Sequence, residues 1–154
     1  MATTHAWDGM SHNMHDVAAI TRAEPAHQAY LALWLGFVVL PLVVGLDKLI
    51  GFTGTNWDAY LATWVNDIVP GSAANAMTMV GIVEIAAAIV VAVAPRIGGY
   101  VVAAWLLGII VNLVSTGQYY DIALRDLGLM IAAFAMARLA MTYHGREIGA
   151  GRKL

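Results

Sequence analysis

The sequence predicts an all-α integral membrane protein. It is an up-down bundle of four spanning helices, with a short amphipathic interfacial helix between the first and second spans. Three observations carry this. Of the 154 residues, 60% are hydrophobic and 12% charged, about half the charged share of an average soluble domain. A soluble domain this small leaves too much of its chain exposed to hide so much apolar surface, and the mean hydropathy of +0.72 agrees. Four stretches each supply the roughly 20 mostly apolar residues that a spanning helix needs. Two of the three links between them are short, which makes sequential helices antiparallel neighbours.

Residues 1–28 form a polar, acidic N-terminal tail. The tail lacks the basic stretch and A-x-A site of a cleaved leader, so the first span is expected to stay as an anchor. The membrane domain covers residues 29–142, with spans at about 29–50, 76–94, 97–114 and 122–141, and residues 143–154 form a basic tail. The core of the first span, Ala29 to Leu46, carries no charge. Its Pro41 frees a backbone carbonyl and is a place for a kink. Helix is the only reading for these runs, because an open sheet cannot satisfy its backbone in lipid. Barrel strands would alternate polar and apolar residues, and these runs do not. Small residues four apart occur at Ala88 and Ala92, Ala104 and Gly108, and Ala133 and Ala137. They read as helix–helix packing contacts.

The long connection runs from Thr53 to Ala74. Within it Trp57, Tyr60, Leu61, Trp64, Val65 and Ile68 recur at helical spacing. Thr55 or Asn56 is placed to cap the start and Pro70-Gly71 to end it. The expectation is one amphipathic helix on the membrane surface, its tryptophans at headgroup level. The alternative is a loop whose aromatics pack on the bundle.

Four spans put both termini and the Pro95-Arg96 turn on one side. That side carries Arg22, Arg96, Arg138, Arg146, Arg152 and Lys153, against Lys48 and Arg125 on the other. The positive-inside rule then gives a bacterial-type inner membrane protein with N-in, C-in topology. With a net charge of −2 and a pI of about 6.2, nothing resembles a nucleic-acid footprint.

Polar groups inside spans are costly and tend to face a bundle interior. Asp47 and Lys48 close the first span, Asn112 lies near the end of the third, and Arg125 and Asp126 lie about one turn inside the fourth. Glu84 is the deepest, about 12 Å from the start of its span at 1.5 Å per residue. The topology gathers all six in the outer half, where they are the candidate ligand-binding residues. Glu84 is expected to pair with Lys48 or Arg125. Two readings stay open: an ion-pair network that fixes helix register, and a polar pocket for a ligand headgroup or a proton.

There are no cysteines, which excludes thiolate metal sites, iron–sulfur clusters and dithiol chemistry. No phosphate-binding, catalytic-triad or zinc-hydrolase motif is present. No metal is expected. Met and His are soft or borderline copper ligands, so His12, Met14 and His15 are the metal-ligand candidates, set in what reads as a plain polar tail.

Three segments carry a family resemblance. Gly45-Leu46-Asp47-Lys48-Leu49, Gly81-Ile82-Val83-Glu84 and Leu124-Arg125-Asp126-Leu127-Gly128-Leu129 resemble, in order, segments of DoxX-like four-helix membrane proteins. The resemblance covers roughly Tyr30 to Met141. It marks Lys48, Glu84, Arg125 and Asp126, four of the residues that depth selects. The family takes its name from a small subunit of a thiosulfate:quinone oxidoreductase. The resemblance therefore implies an accessory subunit of a quinone-linked redox system, with a quinone or other lipid-soluble molecule as the ligand. The chain offers no redox centre of its own, so a non-catalytic subunit is expected; as an enzyme it would be an oxidoreductase component. The expected partners are the lipid bilayer and a larger membrane complex or further copies of the chain. The alternatives are a purely structural assembly subunit and a small oligomeric transporter.

Overall fold

The computed structural model describes residues 25–69 and 71–150. Among them every regular element is a helix: α1 Pro25–Ile50, a 3-10 turn Trp57–Tyr60, α2 Thr63–Ile68, α3 Ala73–Val93, α4 Pro95–Ser115 and α5 Tyr120–Ala150. Three of these, α1, α3 and α4, are long and apolar enough to cross a membrane. In the most apolar stretch of α1 only 17% of the residues are buried. Leu35, Ile50, Ile82, Val93, Ile97 and Leu124 are all more than half exposed. Apolar side chains pointing outward in this number suit a bilayer as the surrounding solvent.

Local chemistry explains where the helices start and stop. α1 runs unbroken through Pro41 and ends at Gly51, whose φ of +68° is a conformation that glycine adopts without a Cβ clash. The Gly51 N–H returns to the Asp47 carbonyl at 2.7 Å, a left-handed cap that satisfies one of the orphan carbonyls. Ser72 caps α3, its side chain accepting from the Asn75 N–H at 3.3 Å. Ala94 is the single residue between α3 and α4, and Pro95 opens α4 at a position where its missing N–H costs nothing.

Contacts join α1 with α3, α3 with α4, α4 with α5, and α5 with α1. Gly45 and Gly81 bring α1 and α3 together: a Cβ on Gly45 would stand 2.7 Å from the Gly81 carbonyl oxygen. A Cβ on Gly99 would meet the Ala133 carbonyl at 2.7 Å and the Ala137 methyl at 2.7 Å. The expected packing role of Ala133 and Ala137 is thus seen, with Gly99 as their counterpart. The Ala104 and Gly108 pair corrects the expectation. Both residues are exposed, and a Cβ on Gly108 would meet nothing within 4 Å. The two ends of the molecule differ. Around the α3–α4 turn, Tyr30, Phe37, Val91, Val102, Leu106 and Met136 form a filled core. The opposite end, under the long connection, is hollow.

The connection corrects the expectation of one interfacial helix. It contains a 3-10 turn and the six-residue α2, separated by extended backbone at Leu61 and Ala62. Asn112 of α4 explains the break. Its side-chain amide donates to the Tyr60 carbonyl at 2.7 Å and accepts from the Ala62 N–H at 2.9 Å. These bonds occupy backbone groups that a continuous helix would pair internally. Of the two expected caps, Asn56 sits at the start of the 3-10 turn without a side-chain cap bond.

Candidate functional site

The hollow end contains a cavity of ≈ 720 Å³, within the range of small-molecule sites. Every long helix and the connection contribute to its wall. Most of its wall is apolar, lined by side chains such as Phe37, Leu40, Val44, Val80 and Leu106. Its mouth, next to the connection, carries Lys48, Asn112, Arg125 and Asp126 together with Trp57, Tyr60 and Trp64, and Glu84 lies deeper.

Lys48 reaches from the mouth to Glu84 below it. The Lys48 ammonium donates to Glu84 Oε2 at 2.7 Å, with side-chain exposures of 6% and 10%. The close Gly45–Gly81 approach, one turn away on each helix, sets α1 and α3 near enough for this short bond. Of the two partners expected for Glu84, Lys48 is therefore the one it takes. Glu84 stands about 16 Å inside α3 by helical rise. The Lys48 Nζ also lies 4.1 Å from the centroid of the Trp57 ring, so the buried ammonium has a π face as a second partner.

The other candidate residues divide. Asp126 lines the same mouth and interacts electrostatically with both Lys48 and Glu84. Asp47 is buried but turns to the connection, where its carboxylate accepts from the Thr53 N–H at 2.7 Å, the Thr53 hydroxyl and the Trp57 indole N–H at 2.8 Å. It anchors Trp57 over Lys48 and does not line the cavity. Asn112 lines the mouth while holding Tyr60 and Ala62. Arg125 reaches outward and pairs with Asp121 at 2.8 Å, both side chains more than 70% exposed. That hydrogen bond holds the Asp121 carboxyl below the usual carboxylate range.

The aromatics of the connection form the roof. Trp57 tilts on Tyr60, and Tyr60 on Tyr119, with ring centroids 6.0 Å and 4.7 Å apart. Tyr119 has a φ of 59°, a conformation uncommon for a residue with a Cβ. The Trp64 indole donates to Ser115 Oγ at 2.7 Å. Trp57, Tyr60 and Trp64 thus pack on the ends of the long helices, while Trp64 stays partly exposed.

Sequence reasoning missed Trp105. It lines the cavity from α4, and its buried Nε1 has no hydrogen-bond partner among the described residues. The signal was faint: a tryptophan in an apolar run, on the same face of the helix as Asn112 two turns later. The metal-ligand candidates His12, Met14 and His15 lie outside the described residues. No protein-family model, curated protein or solved structure matches the chain.

Proposed function

We propose that this chain is a four-span membrane protein whose cavity binds a lipid-soluble molecule with a polar headgroup, a quinone by class. In this reading it serves as an accessory subunit of a quinone-linked redox system. One observation carries the reading: the ≈ 720 Å³ cavity has a mostly apolar wall with its polar groups gathered around the Lys48–Glu84 pair. A quinone has the same division, with carbonyl oxygens on a planar ring and an apolar tail. Lys48 is the donor for a headgroup oxygen, because its ammonium has three N–H groups and Glu84 takes one. The Glu84 carboxylate, whose Oε2 holds Lys48, is the group that can accept a proton, on Oε1. The aromatic roof of Trp57 and Tyr60 keeps water from the headgroup. A bound quinone supplies the electron and proton chemistry, and the chain supplies the orientation.

The stretch Ile122 to Met141 of α5 is the fourth span, and the four long helices make an up-down bundle. Arg96 and Arg138 are exposed at the α3–α4 turn end, which in this reading faces the cytoplasm of a bacterial-type cell, as the positive-inside rule favours. The cavity then opens toward the outer leaflet. The likeness of the Lys48, Glu84 and Arg125-Asp126 segments to DoxX-like proteins supports the redox association.

The test is equilibrium binding of decylubiquinone to the purified protein in nanodiscs. Wild type is expected to bind saturably, with weaker binding by Val80→Phe, which fills the cavity, and by Glu84→Gln. Absence of binding by wild type in both detergent and lipid overturns the reading. A second reading has one observation in its favour: the Lys48–Glu84 pair satisfies itself, so a purely structural subunit of a larger membrane complex needs no ligand. It predicts a stoichiometric partner that co-purifies equally with wild type and Glu84→Gln.

A further inference from the structure

Three of the tryptophans have a partner for the indole N–H. Trp34 donates to the Val91 carbonyl at 3.1 Å, Trp57 to Asp47 and Trp64 to Ser115. Trp105 breaks this pattern: its Nε1 is buried and makes no hydrogen bond within the described structure, yet its side chain lines the cavity. A buried N–H left unsatisfied carries a penalty of about 1–3 kcal/mol, and tryptophan N–H groups in buried positions usually find an acceptor.

The surroundings of Trp105 favour an acceptor that arrives with a ligand. Trp105 and Asn112 are seven residues apart on α4, which places them on one face with Trp105 about 10 Å deeper. Asn112 spends its amide on the connection, so it holds the roof in place. Gly108, between them, also lines the cavity, and nothing stands within 4 Å of the place a Cβ would occupy. A residue with no side chain therefore leaves this wall of the cavity open one turn from Trp105. The neighbours that line this depth, such as Val102, Leu106 and Ile109, carry no side-chain acceptor.

We propose that Trp105 is a specificity-determining residue: its Nε1–H donates to a neutral oxygen of the bound molecule, so the cavity selects carbonyl-bearing apolar ligands over plain hydrocarbon. The proposal rests on the ligand-binding reading above and adds to it the group that recognises the headgroup oxygen. A neutral acceptor suits this depth because Glu84, about as far inside α3 as Trp105 is inside α4, already takes the Lys48 ammonium, and an added anion there would lose its hydration without a free counter-charge.

The experiment compares two probes, decylubiquinone and decylbenzene, which share the tail and differ in the acceptor oxygens. Binding to wild type and to Trp105→Phe is measured in nanodiscs. Phenylalanine keeps an aromatic ring and removes the donor, which lacks a protein partner, together with part of the indole's bulk, a loss that decylbenzene reads separately; the variant is expected to fold as wild type does. The expected result is a loss of about threefold to tenfold in decylubiquinone affinity, the effect of one net hydrogen bond, with decylbenzene affinity unchanged. In ¹⁵N–¹H spectra the indole cross-peak that Trp105→Phe removes is expected to move downfield when decylubiquinone binds to wild type. Equal decylubiquinone binding by wild type and Trp105→Phe, with that cross-peak unmoved, overturns the role of Trp105 and leaves the ligand-binding reading standing. Failure of wild type to bind decylubiquinone overturns both.

Discussion

Lys48→Met removes the partner of the deepest carboxylate and leaves the carboxylate in place. The charges of Lys48 and Glu84 stand 2.7 Å apart, which at an effective dielectric constant of about 20 is an attraction of about 6 kcal/mol. Burial of both ions offsets most of this, so the pair adds little net stability over an apolar pair of the same shape. Removing one partner is a different perturbation. Glu84 is then a 7% exposed carboxyl without its ammonium, at a cost of about 3–5 kcal/mol. Lys48→Met/Glu84→Met removes both charges and is expected to fall within about 1 kcal/mol of wild type. The assay is unfolding by SDS in mixed micelles, followed by circular dichroism, for wild type, both single variants and the double. The cycle is expected to show a coupling of at least about 2 kcal/mol. A double variant as unstable as Lys48→Met, or a coupling below about 0.5 kcal/mol, refutes the argument that these charges hold each other.

Other positions give independent checks. Gly45→Ala forces a methyl to within 2.7 Å of the Gly81 carbonyl and is expected to destabilise by about 1–3 kcal/mol in the same unfolding assay. Gly108→Ala meets no atom and is expected to be neutral or stabilising by up to about 1 kcal/mol. Asn112→Ala strips the acceptor and donor from Ala62 and Tyr60. Faster hydrogen exchange at the Ala62 amide is expected, together with a loss of about 1–3 kcal/mol.

Much of the helical plan is legible in composition because membrane spans announce themselves by length alone. The ends at Ile50, Val93 and Ser115 fall within one residue of the expected spans, since Gly51, Pro95 and Gly117 stop the helices locally, whereas α1 and α3 begin at Pro25 and Ala73, ahead of the expected starts, and α5 runs on to Ala150 through part of the expected basic tail. The connection was not legible. Its aromatic spacing suits a helix, but Asn112, about 50 residues downstream, claims the backbone at Tyr60 and Ala62. Periodicity cannot register a bond of that range.

The candidate site was legible in depth but not in direction. Lys48 and Glu84 could be placed together because helical rise and topology set their levels. Arg125 shared that level, yet its helix face turns it outward to Asp121. Asp47, the neighbour of Lys48 in the chain, points about 100° away around the helix and serves Thr53 and Trp57 instead. Trp105 carried no charge to draw notice. Its interest lies in a missing partner, which only a three-dimensional arrangement reveals.

Photolabelling with an azido-quinone reports where a bound ring sits. After illumination in nanodiscs, peptide mapping is expected to find the label on cavity-lining residues, Val80, Trp105 and Leu106 among them, with excess decylubiquinone suppressing it. Label confined to outward-facing residues such as Leu35, Ile82 and Ile97, unaffected by excess decylubiquinone, contradicts the account.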